Sequence, residues 1–79
     1  MILALDVGNT NTVIGGFEDG TLQFSLRMTS DRNKTIDEYV SHLRLLLSEK
    51  SVDFSKVEGG IISSVVPELR YVLGKTMEV

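Results

Sequence analysis

The sequence contains no cysteine and no tryptophan, and only one proline and one histidine. Without cysteine, a disulfide scaffold, a thiolate zinc site and a cysteine nucleophile are all excluded. A single histidine leaves no room for a histidine-rich metal cluster. No segment approaches the roughly 18 consecutive apolar residues that a bilayer-spanning helix needs. We therefore expect no membrane partner.

Positive charge is also scarce. Eight Lys and Arg residues face eleven Asp and Glu residues, which gives a formal net charge of -3 at pH 7. Because the basic residues are scattered, the sequence lacks the basic patch on which nucleic-acid binding depends, and we expect no nucleic-acid partner. The short apolar run after Met1 ends at Asp6 and does not resemble a secretory signal. The expected location is the cytoplasm.

The composition that remains is that of an ordinary globular protein. Of the 79 residues, 42% are hydrophobic and 24% are charged. A chain of this length forms one small domain at most, and its core is of modest size.

Three strands are predicted at the start of the chain. The apolar run Ile2–Leu5 predicts a strand buried on both faces, and a second strand extends from Thr12 to Phe17. Glu18-Asp19-Gly20 is a strong hairpin signal. In the third strand, apolar residues alternate with polar ones and share one face: Leu22, Phe24, Leu26 and Met28.

A helix, a strand and a second helix complete the predicted order. Thr35 as N-cap and Glu38 three residues later form a capping box. The helix that follows has one apolar face, formed by Ile36, Tyr39, Val40, Leu43, Leu46 and Leu47. Ile61–Val66 predicts a buried strand, and Pro67 starts the last helix.

The element order β-β-β-α-β-α predicts an α/β fold with a mixed sheet. The helix between the third and fourth strands indicates a right-handed crossover. Helices packed on such a sheet are typical of a ribonuclease-H-like half-domain.

One segment carries most of the chemical signal: Asp6-Val7-Gly8-Asn9-Thr10-Asn11-Thr12. A nucleotide phosphate is bound by converging backbone N–H groups at close range, which glycine and tight turns permit. The two Thr hydroxyls and the two Asn amides add further donors. Asp, Gly and Asn are also common in hairpin loops, so a purely structural turn is the alternative explanation of the segment alone.

A carboxylate at Asp6 would repel a bare phosphate. Mg²⁺ removes that conflict, because it binds carboxylate and phosphate oxygens together. The segment therefore indicates a metal–nucleotide complex, with Asp6 as the metal-binding residue. It contains no Lys and joins two strands, which separates it from the Walker A loop.

Three stretches resemble one family. Asp6-Val7-Gly8-Asn9-Thr10 resembles the first phosphate loop of type III pantothenate kinases, which belong to the acetate and sugar kinase, Hsp70 and actin superfamily. The second stretch runs from Arg27 to Thr29, through the polar loop, to Thr35-Ile36-Asp37-Glu38-Tyr39. The third is Ile62-Ser63-Ser64-Val65-Val66-Pro67. Together they cover almost the whole chain in the family's order.

The resemblance implies transfer of the γ-phosphoryl group of ATP to pantothenate, the first step of coenzyme A biosynthesis. It implies that Asp6, Val7, Gly8, Asn9, Thr10, Asn11, Thr12 and Val13 form the ATP-phosphate loop, with Asp6 holding Mg²⁺. It further implies a monovalent cation (K⁺ or NH₄⁺) and a homodimer in the intact protein.

Family members are much longer than this chain. Residues 1–79 would be the N-terminal portion of an actin-like kinase domain, with the second domain absent from the chain. The catalytic base and the pantothenate contacts would lie further along, so no catalytic residue is assigned here and the chain alone is expected to be inactive.

Alternatives of other classes stay open. A non-catalytic relative resembling the Bvg accessory factors, which assist transcription, shares this N-terminal pattern. Another actin-superfamily sugar kinase or phosphatase, or a structural fragment without a ligand, is also compatible. Ser63 and Ser64 are secondary site candidates because they end a strand. Asp37 and Glu38 are assigned to helix capping, and His42 to the flank of the helix.

Overall fold

The computed structural model describes residues 1–78 and contains a single mixed sheet with two helices. The strands are β1 (Ile2–Val7), β2 (Asn11–Glu18), β3 (Thr21–Thr29) and β4 (Gly59–Ser64); the helices are α1 (Ile36–Glu49) and α2 (Pro67–Glu78). A short 3₁₀ turn, Phe54–Lys56, precedes β4. The order β-β-β-α-β-α is the one that the sequence predicts, and the α/β fold is consistent with an actin-like half-domain.

The strand order across the sheet is β3-β2-β1-β4. β2 is antiparallel to both β1 and β3, whereas β4 is parallel to β1. It follows that β1, β3 and β4 all run in one direction, and α1 connects two strands of the same direction. Their carboxyl ends therefore meet at one edge of the sheet, together with the start of β2.

The β2–β3 hairpin has the geometry that its sequence predicts. Asp19 and Gly20 adopt φ angles of 51° and 78°, and Glu18 pairs with Thr21 across the turn. Positive φ at both central positions is typical of the tight turns that match strand twist, and Asp-Gly is a preferred sequence for them. The hairpin prediction is confirmed.

Helix α1 begins with the predicted capping box. The Glu38 backbone N–H donates to Thr35 Oγ1 over 3.1 Å, and the Thr35 backbone N–H donates to Glu38 Oε1 over 2.8 Å. These bonds favour the ionised carboxylate, so the pKa of Glu38 lies below its usual value, with the Thr35 backbone bond as the main cause. Both Asp37 and Glu38 lie in the first helical turn, as expected of residues that complement the helix dipole.

The core lies on one face of the sheet. There the β1 side chains Leu3, Leu5 and Val7 pack with Ile14 and Met28 against both helices, which contribute Tyr39, Leu43, Leu47, Leu69 and Leu73. The predicted apolar face of α1 is largely confirmed: four of its six residues are buried, and Ile36 and Leu46 are partly exposed. Neither helix in residues 1–78 has the length and apolar character required to cross a membrane.

Two strand predictions need correction. β1 is fully buried on only one face, since Ile2 and Ala4 are partly exposed and no element within residues 1–78 covers the other face. β4 is an edge strand in which Ile61 is 65% exposed, instead of a buried strand.

The fourth strand also lies two residues earlier than predicted. It starts at Gly59 because the strand pairs with β1 from Ile2 onward. A Cβ atom at Gly60 would lie 3.0 Å from Met77 Cε, so glycine there provides room for α2. The strand ends at Ser64, whose hydroxyl donates to the Val66 carbonyl over 2.8 Å and accepts from the Val66 N–H over 3.0 Å.

His42 lies on the partly buried flank of α1, as the sequence predicts. Its Nδ1 is 3.1 Å from Lys34 Nζ, so the neutral ring accepts a hydrogen bond from the ammonium group. Burial, and then the Lys34 charge, hold the pKa of His42 below its usual value of 6.5. The folded protein therefore resists protonation of this ring.

We predict a loss of stability between pH 7 and pH 5.5 that depends on His42. The unfolded chain takes up the proton near pH 6.5 and the folded chain only at lower pH. In this range the unfolded state binds more protons, so the free energy of unfolding decreases as the pH is lowered. Urea unfolding at several pH values measures this slope. His42→Asn should flatten the slope; an unchanged slope in that variant would contradict the prediction.

Candidate functional site

Residues 6–13 comprise the end of β1, the tight connection at residues 8–10 and the start of β2, at the edge where β1, β3 and β4 end. The Gly8 N–H donates to the Asn11 carbonyl oxygen over 2.9 Å and closes the turn. A Cβ atom at Gly8 would lie only 3.1 Å from that same backbone oxygen. Glycine therefore allows the turn to close.

The side chains of this segment point in two directions. Asp6, Asn9, Thr10 and Asn11 are exposed. Thr12 is fully buried, and its Oγ1 is 2.9 Å from Ser30 Oγ. The structure thus brings one set of predicted site residues to the surface and turns the Thr12 hydroxyl toward the interior.

The remaining predicted residues are less accessible. Val7 is 1% exposed and belongs to the core, while Gly8 and Val13 are partly buried. Val13 pairs with Asp6, so its side chain lies on the same face of the sheet as the Asp6 carboxylate.

Asp6 lies on the uncovered face of the sheet, one residue before the turn. Its cross-strand neighbours are Val13 on β2 and Ser63 on β4, and Arg27 follows Val13 on β3. Residues directly opposite one another share a face, so these four side chains form a row. The ion pairs within residues 1–78 lie elsewhere and leave the Asp6 carboxylate without a cationic partner.

The two serines at the end of β4 have different positions. Ser64 is occupied by its two hydrogen bonds to Val66, and this explains the residue structurally. Ser63 is exposed beside Asp6. Only Ser63 therefore remains a site candidate on geometric grounds.

The donor set at Asp6 fits Mg²⁺ held together with a nucleotide. Within residues 1–78 no group of three or more His, Cys, Asp or Glu side chains is arranged to hold a metal ion. Mg²⁺ does not require such a cage, because it is commonly bound by one or two carboxylates plus substrate phosphates and water. A single exposed carboxylate beside a turn closed by glycine meets that requirement.

The loop between β3 and α1 lies against the turn, although its sequence indicates only a polar connection. The Ser30 N–H donates to the Thr10 carbonyl over 2.8 Å, and Arg32 Nη2 donates to Asn9 Oδ1 over 3.3 Å. No local pattern could place Arg32 there, because the two residues are 23 positions apart and their approach depends on the β2–β3 register.

An open cavity of about 930 Å³ lies at the other end of the sheet. It is lined by residues around the 3₁₀ turn and the end of α2, among them Arg44, Phe54 and Met77. Gly59, at the start of β4, also lines it. In α/β sheets, ligands bind at the carboxyl ends of parallel strands, so the chemistry favours the turn at residues 6–13.

Comparison with known families identifies the family of the chain. The family described as type III pantothenate kinase matches residues 2–78. The chain belongs to this family. A type III pantothenate kinase uses ATP and a divalent metal to phosphorylate pantothenate in coenzyme A biosynthesis, so the intact protein is a kinase. The match spans both the β1–β2 turn and the β3–α1 loop.

Proposed function

We propose that residues 6–13 bind the phosphates of ATP during the phosphorylation of pantothenate. The observation that carries the proposal is the turn itself, in which a close-packed Gly8 stands between the exposed carboxylate of Asp6 and the exposed polar side chains of Asn9 and Thr10. This arrangement places a carboxylate and side-chain donors together at one sheet edge. Phosphoryl transfer depends chiefly on such positioning and charge stabilisation.

The residues of the segment then have distinct roles. Asn9, Thr10 and Asn11 donate hydrogen bonds to phosphate oxygens, together with backbone N–H groups of the turn. Val7 and Thr12 hold the turn from the interior side, Thr12 through its contact with Ser30, and Val13 lies beside Asp6 on the uncovered face. Asp6 would hold Mg²⁺, which supplies neutralisation of phosphate charge when it is bound.

The proposal includes the expected organisation of the intact enzyme. Residues 1–79 are its N-terminal portion, within an actin-like kinase domain, and the catalytic base and the pantothenate contacts belong to the remainder. The resemblance of the sequence to the family supports a monovalent cation, a homodimer and a cytoplasmic location for the intact enzyme. None of these three rests on a contact within residues 1–78.

The test is the phosphorylation of pantothenate by the intact gene product. We expect ADP and phosphorylated pantothenate to form in equal amounts, and both to disappear when Mg²⁺ is chelated or pantothenate is omitted. A panel of sugars in place of pantothenate should give no ADP. A folded intact protein without turnover would overturn the proposal and favour the accessory-factor alternative, while turnover of a sugar would favour a sugar kinase.

A further inference from the structure

The turn proposed to bind the phosphates of ATP contains no basic residue. Residues 6–13 include no Lys or Arg. The cation that hydrogen-bonds to this segment within residues 1–78 is Arg32, which reaches Asn9 Oδ1 from the β3–α1 loop. A polyphosphate bound at the turn would therefore lie beside a guanidinium group contributed by a different part of the chain.

The backbone that carries Arg32 is firmly anchored. The Tyr39 hydroxyl donates to the Asp31 carbonyl over 2.6 Å and accepts from the Asp31 N–H over 2.9 Å. Tyr39 is fully buried, so this anchor point is fixed by the core. On the other side, the Ser30 N–H donates to the Thr10 carbonyl. These bonds are made by the two residues that directly precede Arg32, so they fix the start of the loop in a defined position relative to the turn.

Most donors of Arg32 are free to bind a ligand. A guanidinium group has five N–H donors, and here Nη2 donates to the neutral Asn9 amide oxygen. The adjacent Asp31 carboxylate accepts the Asn33 N–H over 2.9 Å, and the ion pairs of residues 1–78 do not include Arg32. Charge-assisted bonds to phosphate are about twice as strong as neutral ones, so phosphate would be the preferred partner.

The other cation of this loop faces away from the turn. Lys34 Nζ is 3.1 Å from His42 Nδ1 and 5.2 Å from the centre of the Tyr39 ring. Two positive charges two residues apart therefore have different environments, one beside Asn9 and one against α1. This difference makes Lys34 a charge-matched control for Arg32.

We propose that Arg32 binds the phosphate oxygens of the nucleotide and acts as the counter-charge of the cation-free turn at residues 6–13. The inference rests on the proposed function in assigning the nucleotide to this turn. In this role the Asn9 side chain positions the guanidinium group before the nucleotide arrives. Arg32 is then a binding residue of the site that two loops form together.

The experiment compares Arg32→Gln, Arg32→Lys and Lys34→Gln in the intact protein. For each variant, calorimetry measures binding of Mg·ATP and of adenosine, and steady-state kinetics measures the KM for ATP and for pantothenate. We expect Arg32→Gln to weaken Mg·ATP binding by about ten- to a hundredfold, the usual effect of losing one or two charge-assisted bonds. Adenosine binding and the KM for pantothenate should not change.

The controls separate a phosphate contact from a structural role. Arg32→Lys should recover part of the affinity because it restores the charge, while Lys34→Gln should bind Mg·ATP within about twofold of wild type, as for other surface substitutions. Equal loss of adenosine and Mg·ATP binding in Arg32→Gln, or no loss of either, would overturn the proposal.

The outcomes also distinguish this inference from the proposed function. Binding of Mg·ATP that depends on Arg32, in a protein without pantothenate turnover, would support the inference and overturn the proposed function. Normal pantothenate turnover by the wild-type protein, together with unchanged Mg·ATP affinity in Arg32→Gln, would support the proposed function and overturn the inference. A wild-type protein that binds no Mg·ATP would overturn both.

Discussion

Asp6→Asn should lower the rate of pantothenate phosphorylation by the intact enzyme at least about a hundredfold. The substitution keeps the size of the side chain and removes the negative charge proposed to hold Mg²⁺. Metal stabilisation of phosphoryl charge contributes several kcal/mol, and each 1.4 kcal/mol corresponds to about tenfold in rate. Turnover measured across a range of Mg²⁺ concentrations would show both the lower maximum and a weaker apparent metal affinity.

Asp19→Asn provides the control for loss of charge at Asp6. Asp19 is an exposed carboxylate at the β2–β3 turn, at the other end of β2, and its φ of 51° is one that asparagine also adopts readily. We expect this variant to retain full turnover. Because Asp6 is exposed, neither substitution should alter thermal unfolding appreciably. Turnover of Asp6→Asn within about twofold of wild type would exclude the carboxylate as a metal ligand.

Leu43→Ala should cost about 2–5 kcal/mol of the free energy of unfolding. Leu43 lies near the middle of α1, is fully buried and belongs to the cluster formed with β1 and α2. Truncation to alanine removes buried methyl groups and leaves a cavity that the two helices and the sheet cannot fully close. A loss of this size is a large fraction of the usual stability of a domain. Urea unfolding of the protein measures it.

Leu45→Ala tests whether burial causes this loss. Leu45 has the same side chain two positions along the same helix, and it is 58% exposed. Leu and Ala both favour helices, so helix propensity changes little and the free energy of unfolding should stay within about 0.5 kcal/mol of wild type. Similar losses in the two variants would show that the loss of stability in Leu43→Ala does not come from core packing.

Local chemistry accounts for the parts of the fold that were predicted well. The capping box of Thr35 and Glu38, the Asp19-Gly20 turn and the start of α2 at Pro67 all depend on residues within a few positions of one another. Such features follow from hydrogen-bonding groups and backbone preferences of neighbouring residues, so they can be recognised without knowledge of the tertiary structure. The ends of β4 were predicted less well, because the two glycines at its start indicate a break when considered locally.

Long-range contacts explain what could not be predicted. Pairing with β1 turns Gly59 and Gly60 into strand residues, and the absence of a Cβ atom at Gly60 leaves room for the end of the Met77 side chain. The same holds for exposure: alternation predicts which strand residues share a face, but only the placement of both helices on one side determines which face is covered.

The candidate site shows the same division. The sequence by itself determined the family resemblance, the type of each element and the turn at residues 6–13 with its carboxylate at Asp6, because these depend on neighbouring residues. Only the tertiary structure decided that Thr12 faces Ser30 and that Arg32 reaches Asn9. Those contacts join residues 18 and 23 positions apart, and they arise from the register of β2 and β3 and from the anchoring of the β3–α1 loop on the core.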